Sequence, residues 1–154
     1  MKFINEILCC SLGIVFCCSG SSLYAQTYDQ ALADSLGADD YGMKHYVLVI
    51  LKSGTNDKII KAESDSLFRG HMQNINRLAN SGKLIVAGPL QKNNNNYRGI
   101  FILNVKSIEE ARPLLEGDSA IKQNLLDVEL FVWYGSAALP TYLPFHNKIE
   151  KKTY

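Results

Sequence analysis

The chain has 154 residues, of which 47% are hydrophobic and 20% charged, and its formal net charge is +1. A charge so nearly balanced gives no reason to expect nucleic acid or an anionic membrane as a partner. The length is that of one domain, long enough to bury a hydrophobic core.

The beginning of the chain has the pattern of a secretory signal peptide. An apolar run from Ile7 to Phe16 follows Lys2 and is too short to cross a bilayer easily. Small and polar residues come next, and Ala25 supplies the small side chain that a cleavage site requires. We therefore expect residues 1–25 to be removed, and the protein to be exported, either periplasmic or secreted, without a stable membrane anchor.

The cysteines are confined to this leader, so the mature chain is expected to have neither a disulfide nor a thiol nucleophile. They are Cys9, Cys10, Cys17 and Cys18. A lipoprotein would need a small residue before the acylated cysteine, whereas Phe16 precedes Cys17, so lipidation is the less favoured alternative. An exported domain without disulfides must be stabilised by its core alone.

Residues 26–43 are predicted to be an acidic linker. Several aspartates lie there among alanines and small polar residues: Asp29, Asp34, Asp39 and Asp40. Because the segment has few bulky apolar side chains to bury, we expect no more than one loose helical turn.

A buried strand and an amphipathic helix are predicted next. The strand covers His45 to Leu51, which is β-branched and almost wholly apolar, as in a strand at the centre of a sheet. The helix begins between Asp57 and Asp65. Its apolar side chains recur at helical spacing: Leu67, Phe68, Met72, Ile75, Leu78 and Ala79. Gly82 follows the last of them, where glycine favours a left-handed C-cap.

Two further strands form a predicted hairpin. The second strand is expected over Lys83 to Ala87, ended by Gly88-Pro89, and the third over Tyr97 to Val105. A run of asparagines, residues 93–96, lies between them. Since asparagine tolerates a positive φ, this run is predicted to be the turn.

A second helix is predicted from its capping residues. Ser107 stands three residues before Glu110, which is the spacing of a capping box, and Gly117 ends the helix. Asp118 is placed to cap a short third helix that runs to Leu125.

A fourth strand over Asp127 to Tyr134 completes the order β-α-β-β-α-β, which is that of the ferredoxin-like α+β fold. In that fold a four-stranded antiparallel sheet has helices on one face only. The other face is predicted to carry Val47, Phe131 or their neighbours, and an apolar surface of that size requires a partner, so we expect a homodimer. The remaining residues, 135–154, are predicted to be an extended C-terminal arm.

Three short motifs resemble the YciI-like (YCII-related) family over about residues 44–134. They are Arg69-Gly70-His71-Met72, Ala87-Gly88-Pro89-Leu90 and Gly117-Asp118-Ser119. The resemblance implies a dimeric α+β barrel, in which two ferredoxin-like units close their sheets against each other and each unit has a cleft with a histidine and an aspartate. Carried over residue by residue, these are His71 and Asp118, with Gly88 and Pro89 lining the cleft as substrate-binding residues.

The residues alone leave the role of this pair open. A helical histidine beside apolar neighbours is more often a core residue than a catalyst, and Asp118 is explained as a helix cap. The resemblance favours catalysis, and one oxygen of Asp118 can cap while the other orients the imidazole of His71. Such a pair implies general acid–base chemistry on a small, aromatic or lactone-like molecule, as a lyase, isomerase or hydrolase. The alternative is a non-catalytic dimer that binds a small ligand in the same cleft.

We expect neither a cofactor nor a metal. The sequence has no glycine-rich phosphate loop and no nucleophile elbow. The other histidines, His45 and His146, have no paired ligand at metal-binding spacing.

Overall fold

A four-stranded antiparallel sheet lies at the centre of the computed structural model, which describes residues 27–56 and 58–152. The predicted signal peptide and its cleavage site lie outside the described residues. The strands are β1 (Met43–Ser53), β2 (Leu84–Pro89), β3 (Tyr97–Leu103) and β4 (Leu126–Ser136). The helices are α1 (Gln30–Leu36), α2 (Lys61–Asn80), α3 (Ile108–Glu116), α4 (Ser119–Lys122) and α5 (Leu143–Ile149), with a 3-10 helix over Leu139–Tyr142.

The strand order across the sheet is β2-β3-β1-β4, and each neighbouring pair is antiparallel. Helix α2 follows β1 and helix α3 follows β3, so the core of the chain has the order β-α-β-β-α-β. This is the ferredoxin-like α+β arrangement, and the predicted fold class is confirmed.

The central strand β1 presents a different set of side chains to each face of the sheet. Val47, Val49 and Leu51 point toward the helices and are buried in the core with Phe101 and Leu103 of β3. The expectation that Val47 lies on the open face is therefore wrong. Because β1 is apolar on both sides, its sequence has no polar alternation that would show which residues face the helices.

The face opposite the helices is apolar. Leu48 and Ile50 of β1 lie on it, and Leu48 is paired with Ile102 on one side and Phe131 on the other. The Phe131 side chain is 49% exposed, so part of this face is in contact with solvent.

The C-terminal segment crosses one end of the sheet as two short helices and does not form an extended arm. The Tyr46 hydroxyl donates to the Ser136 carbonyl at 2.8 Å, and the Tyr142 hydroxyl donates to the Ile85 carbonyl on β2. Since β4 and β2 are opposite edges of the sheet, the segment spans its width. Its two prolines lie in the first turns of these helices, where a missing N–H is tolerated.

Strand β2 continues through Gly88 and Pro89, which were expected to end it. The strand is at the edge of the sheet and pairs only with β3. A proline at an edge strand removes an N–H that no neighbouring strand requires, so Pro89 is compatible with the sheet.

The segment before β1 contains α1 and is attached to β4. Asp39 Oδ1 accepts hydrogen bonds from the backbone N–H groups of Tyr41 and Met43, at 2.9 and 3.0 Å. Asp39 Oδ2 accepts a hydrogen bond from the Tyr134 hydroxyl of β4. The acidic segment is therefore held against the edge of the sheet.

Among the helices of the described ranges, none has both the length and the hydropathy needed to span a membrane.

Candidate active site

The buried side of α2 carries two polar residues. His71, Asn74 and Leu78 are the buried residues of this helix, and their spacing of three and four places them on one face. His71 is only 8% exposed although it is a titratable residue. A buried polar side chain requires hydrogen-bond partners, and those of His71 and Asn74 define the candidate site.

Asp118 is completely buried and accepts hydrogen bonds through both carboxylate oxygens. As the N-cap of α4, its Oδ1 accepts from the backbone N–H groups of Ala120 at 3.0 Å and Ile121 at 3.3 Å. Its Oδ2 lies 2.6 Å from Nδ1 of His71. One oxygen therefore caps the helix while the other binds the imidazole, and these bonds offset the loss of water around the carboxylate.

The hydrogen bond to Asp118 assigns the protonation of the His71 ring. A carboxylate only accepts, so Nδ1 carries the proton and Nε2 of the neutral ring has a free lone pair. Among the described residues, every buried side-chain nitrogen or oxygen has a hydrogen-bond partner. His71 Nε2 has no hydrogen-bond partner among these residues, so it is not fully enclosed and keeps a path to water or to a ligand.

Two phenylalanines hold the imidazole ring in place. Phe101 of β3 stacks on it with the ring centroids 5.7 Å apart and the planes at 21°, while Phe68 of α2 meets it edge-on at 6.1 Å. In the sequence Phe68 is one of several apolar positions of the helix, and no spacing in the chain indicates the approach of Phe101. These rings restrict His71 to one orientation and exclude water from one side of it.

The helices leave the edge of the sheet near Phe101 uncovered. Ala87 of β2 is paired directly with Phe101, and Pro89 with Gly99, so these side chains share the face that carries the helices. Ala87 and Pro89 are nevertheless exposed. The surface beside the His71 ring is therefore open along β2.

The structure brings two of the four predicted site residues together. His71 and Asp118 are bonded to each other, whereas Gly88 and Pro89 are neighbours on β2. Pro89 lies on the face of His71, but Gly88 is paired with Ile100, which lies on the opposite face. A substrate-binding role for Gly88 and Pro89 stays a prediction.

A shallow groove of about 630 Å³ runs along α2 next to the pair. Phe68 borders it and also contacts the His71 ring. The other lining residues are Asp65, Arg69, Met72, Gln73 and Asn76. The groove therefore combines apolar side chains with charged ones near its first residues and amides near its last.

Asn74 joins α2 to the segment that carries Asp118. Its side-chain Nδ2 donates to the Leu114 carbonyl at 3.3 Å, and its Oδ1 accepts from Arg77 Nη2 at 2.7 Å. A polar residue in the buried stripe, three positions after His71, was a signal in the sequence that went unused.

Within the described ranges, no three histidine, cysteine, aspartate or glutamate side chains form a group that could hold a metal ion. The His45 ring lies beside Tyr134 with centroids 5.2 Å apart, and His146 is exposed on α5. The chemistry available at the site is proton transfer at Nε2 of His71, with Asp118 holding Nδ1.

A family model and a solved structure are similar to this chain. A family model described as the YCII-related domain matches residues 43–134. Among solved structures, the chain is similar to 5-chloro-2-hydroxyhydroquinone dehydrochlorinase (TftG) from Burkholderia phenoliruptrix AC1100, in complex with 2,5-dihydroxybenzoquinone. The TM-score is 0.43 and the identity 16%, over 56% of this chain and 92% of that chain. No curated protein sequence matches the chain.

Proposed function

The chain belongs to the YCII-related family, and on this premise we propose that it is an enzyme that performs general acid–base chemistry on a small molecule through His71 and Asp118. The observation that carries the proposal is the buried 2.6 Å hydrogen bond between His71 Nδ1 and Asp118 Oδ2, combined with an unpaired Nε2.

In the proposed mechanism His71 is the proton carrier. Its Nε2 takes a proton from a C–H or O–H group of the substrate or, in a hydrolysis, from the attacking water, and the imidazolium that forms is stabilised by the Asp118 carboxylate. Nε2 then returns the proton to another atom of the substrate or to its leaving group. Transfer by a positioned group of this kind accelerates a reaction by about 10² to 10⁴.

Asp118 is the positioning residue of this mechanism. Its bond to Nδ1 keeps the proton on that nitrogen, so that Nε2 remains the acceptor. Because Oδ1 is occupied by the backbone of α4, the carboxylate cannot rotate away from the ring without losing its cap.

We propose a small, aromatic or lactone-like substrate and no cofactor. Phe68 supplies an apolar wall beside the ring and also borders the groove along α2. Elimination, isomerisation and hydrolysis each require a proton transfer of this type, so the class is a lyase, an isomerase or a hydrolase.

We also propose that the protein acts as a homodimer joined through the open face of the sheet. The support is that Leu48 and its neighbour Phe131 on this face are apolar, and that the Phe131 side chain is half exposed. Stable interfaces bury on the order of 1,600 Å² in total. Analytical ultracentrifugation is expected to give a dimer that Phe131→Glu dissociates, and a wild-type monomer at micromolar concentration would contradict it.

Export is the proposed location, supported by the apolar leader. The intact mass of the protein recovered from the producing cells is expected to correspond to a chain that begins near Gln26. A product that retains Cys17 with added lipid would overturn this.

The enzyme proposal is tested with a panel of small enolisable phenols, ketones and lactones in heavy water. Proton abstraction exchanges hydrogen for deuterium, which NMR detects without knowledge of the final product. We expect exchange with the wild type and its loss by about 10² or more in His71→Gln and Asp118→Asn. His146→Gln is the matched control, because this histidine is exposed on α5, and it should be unchanged. If ligands bind but none exchanges a C–H proton and none is converted to a product, the chain is a non-catalytic binding domain.

A further inference from the structure

Helices α2 and α4 are in close contact beside the candidate site. The contact is between Gly70 and Ser119, which are the sequence neighbours of His71 and Asp118. A Cβ atom added at Gly70 would lie 2.1 Å from Ser119 Oγ and 2.8 Å from Ser119 Cβ. Both distances are shorter than van der Waals contact, so any side chain at position 70 would have to displace α4.

We propose that Gly70 is a positioning residue, and that its missing side chain lets α2 approach α4 closely enough for His71 to bond to Asp118. Gly70 is the only glycine of α2. Glycine in the interior of a helix is unfavourable relative to alanine, so its presence there needs a compensating reason. The contact with Ser119 provides that reason, because only glycine allows a backbone to come so near another element.

His71 and Asp118 are each attached to a different helix, so a displacement of α4 relative to α2 would change the distance between them. Asp118 is bound to α4 through the N–H groups of Ala120 and Ile121, so its carboxylate moves with that helix. His71 is fixed to α2, which is held in the core by Leu78. A wedge between Gly70 and Ser119 therefore separates Nδ1 from Oδ2, which are 2.6 Å apart and lose their hydrogen bond beyond about 3.5 Å.

This proposal concerns the same site as the proposed function and depends on that function only for the expected effect on turnover. The hydrogen bond itself can be observed without a substrate, from the Nδ1 proton and the tautomer of His71 in long-range proton–nitrogen NMR spectra of the histidine rings. The rings of His45 and His146 are internal references in the same spectra.

Four variants of the full chain give a graded test. Gly70→Ala is expected to lose the Nδ1 proton signal and the fixed tautomer. Adding Ser119→Ala removes the 2.1 Å contact but keeps the 2.8 Å one, so recovery should be partial. Adding Ser119→Gly instead removes both contacts, and recovery should be nearly complete. Ser119→Gly alone should keep the signal.

Ser66→Ala is the matched control, because Ser66 is exposed one turn earlier on the same helix. It should leave the His71 spectrum unchanged. Where turnover is measurable, Gly70→Ala should lower kcat by about 10²-fold, the effect of a displacement of roughly 1 Å, and the Ser119→Gly double variant should restore it.

Two results would overturn the proposal. One is a Gly70→Ala protein that keeps the wild-type Nδ1 signal. The other is a Gly70→Ala/Ser119→Gly protein that is folded by circular dichroism but lacks the Nδ1 signal. This second result can be obtained even if Gly70→Ala alone does not fold. A normal NMR series with no turnover on any substrate would contradict the proposed function and leave the positioning role of Gly70 supported.

Discussion

Two aspartates of this molecule have the same set of hydrogen bonds in opposite surroundings. In both, Oδ1 accepts from two backbone N–H groups and Oδ2 accepts from an aromatic side chain, which is His71 for Asp118 and Tyr134 for Asp39. Asp118 is completely buried between α2 and α4, whereas Asp39 is exposed on the segment before β1.

Burial decides what each arrangement contributes. In the interior no water can replace a lost hydrogen-bond partner. The bond between His71 and Asp118 therefore stabilises both the contact of α2 with α4 and the orientation of the imidazole ring. At the surface water can replace either partner of Asp39. The aromatic partners also differ, because His71 keeps a free nitrogen while Asp39 raises the pKa of Tyr134 from 10.0 to about 12, which keeps that hydroxyl protonated in more alkaline solution.

The largest expected difference is in stability after alanine substitution. Asp118→Ala removes the cap of α4 and leaves the His71 N–H without a partner, so the free energy of unfolding should fall by about 2–4 kcal/mol. Asp39→Ala should leave global unfolding nearly unchanged and loosen only the attachment of the segment before β1 to β4. Urea denaturation measures the first effect, and limited proteolysis of residues 27–42 the second. Equal losses of stability in the two variants would contradict the role given to burial.

For Asp118→Asn we expect a smaller loss of stability than for Asp118→Ala, together with a change in which nitrogen of the His71 ring carries the proton. Asparagine is as good a helix cap as aspartate, so the free energy of unfolding should fall by only about 1 kcal/mol. Its amide N–H would face Nδ1 of His71, which must then accept, and the ring proton moves to Nε2. The NMR tautomer of His71 should therefore invert, removing the base. A retained Nδ1 proton would show that Asp118 does not set the tautomer.

The smallest expected effect is on the exposed pair, and it depends on pH. The hydrogen bond to Asp39 raises the pKa of Tyr134 from 10.0 to about 12, so its contribution to stability is present below pH 10 and is lost as the pH rises through about 12. The pKa of Asp39 is lowered below 3.8, mainly by the hydrogen bond from Tyr134 and next by the one from the Met43 N–H. The contribution of Asp39 to stability is therefore present above pH 3.8 and is lost in more acidic solution. Absorbance titration of tyrosinate, with Tyr134→Phe as the reference, should place Tyr134 near 12, and nearer 10.0 in Asp39→Asn. Ionisation of Tyr134 near 10.0 in the wild type would rule out the bond.

The order of elements could be predicted from the sequence because each one has a local signal. Ser107 accepts from the N–H of Glu110 as the capping-box spacing indicated, and Gly82 has the positive φ expected after α2. Asp118 was recognisable as a cap for the same reason. Local hydrogen bonds of this kind depend on residues three or four apart, which the sequence displays directly.

Contacts between distant elements could not be predicted in this way. The prediction that Val47 lies on the open face is wrong because β1 is apolar on both faces, so its sequence does not show which residues face the helices. The stacking of Phe101 on His71 and the contact of Gly70 with Ser119 depend on how a helix is placed on the sheet, and no spacing in the chain records that placement. The pairing of His71 with Asp118 came from the family resemblance, since the residues alone are 47 positions apart.

The pairing of β1 with β4 has a consequence for the way this protein folds. β1 is the first strand of the sheet to be synthesised, yet its partner on one side, β4, is the last. A sheet dominated by such non-local pairs folds slowly, because a long loop must close before the pair can form. Until β4 has been synthesised, the apolar β1 therefore has one unpaired edge, and an unpaired apolar strand edge favours aggregation.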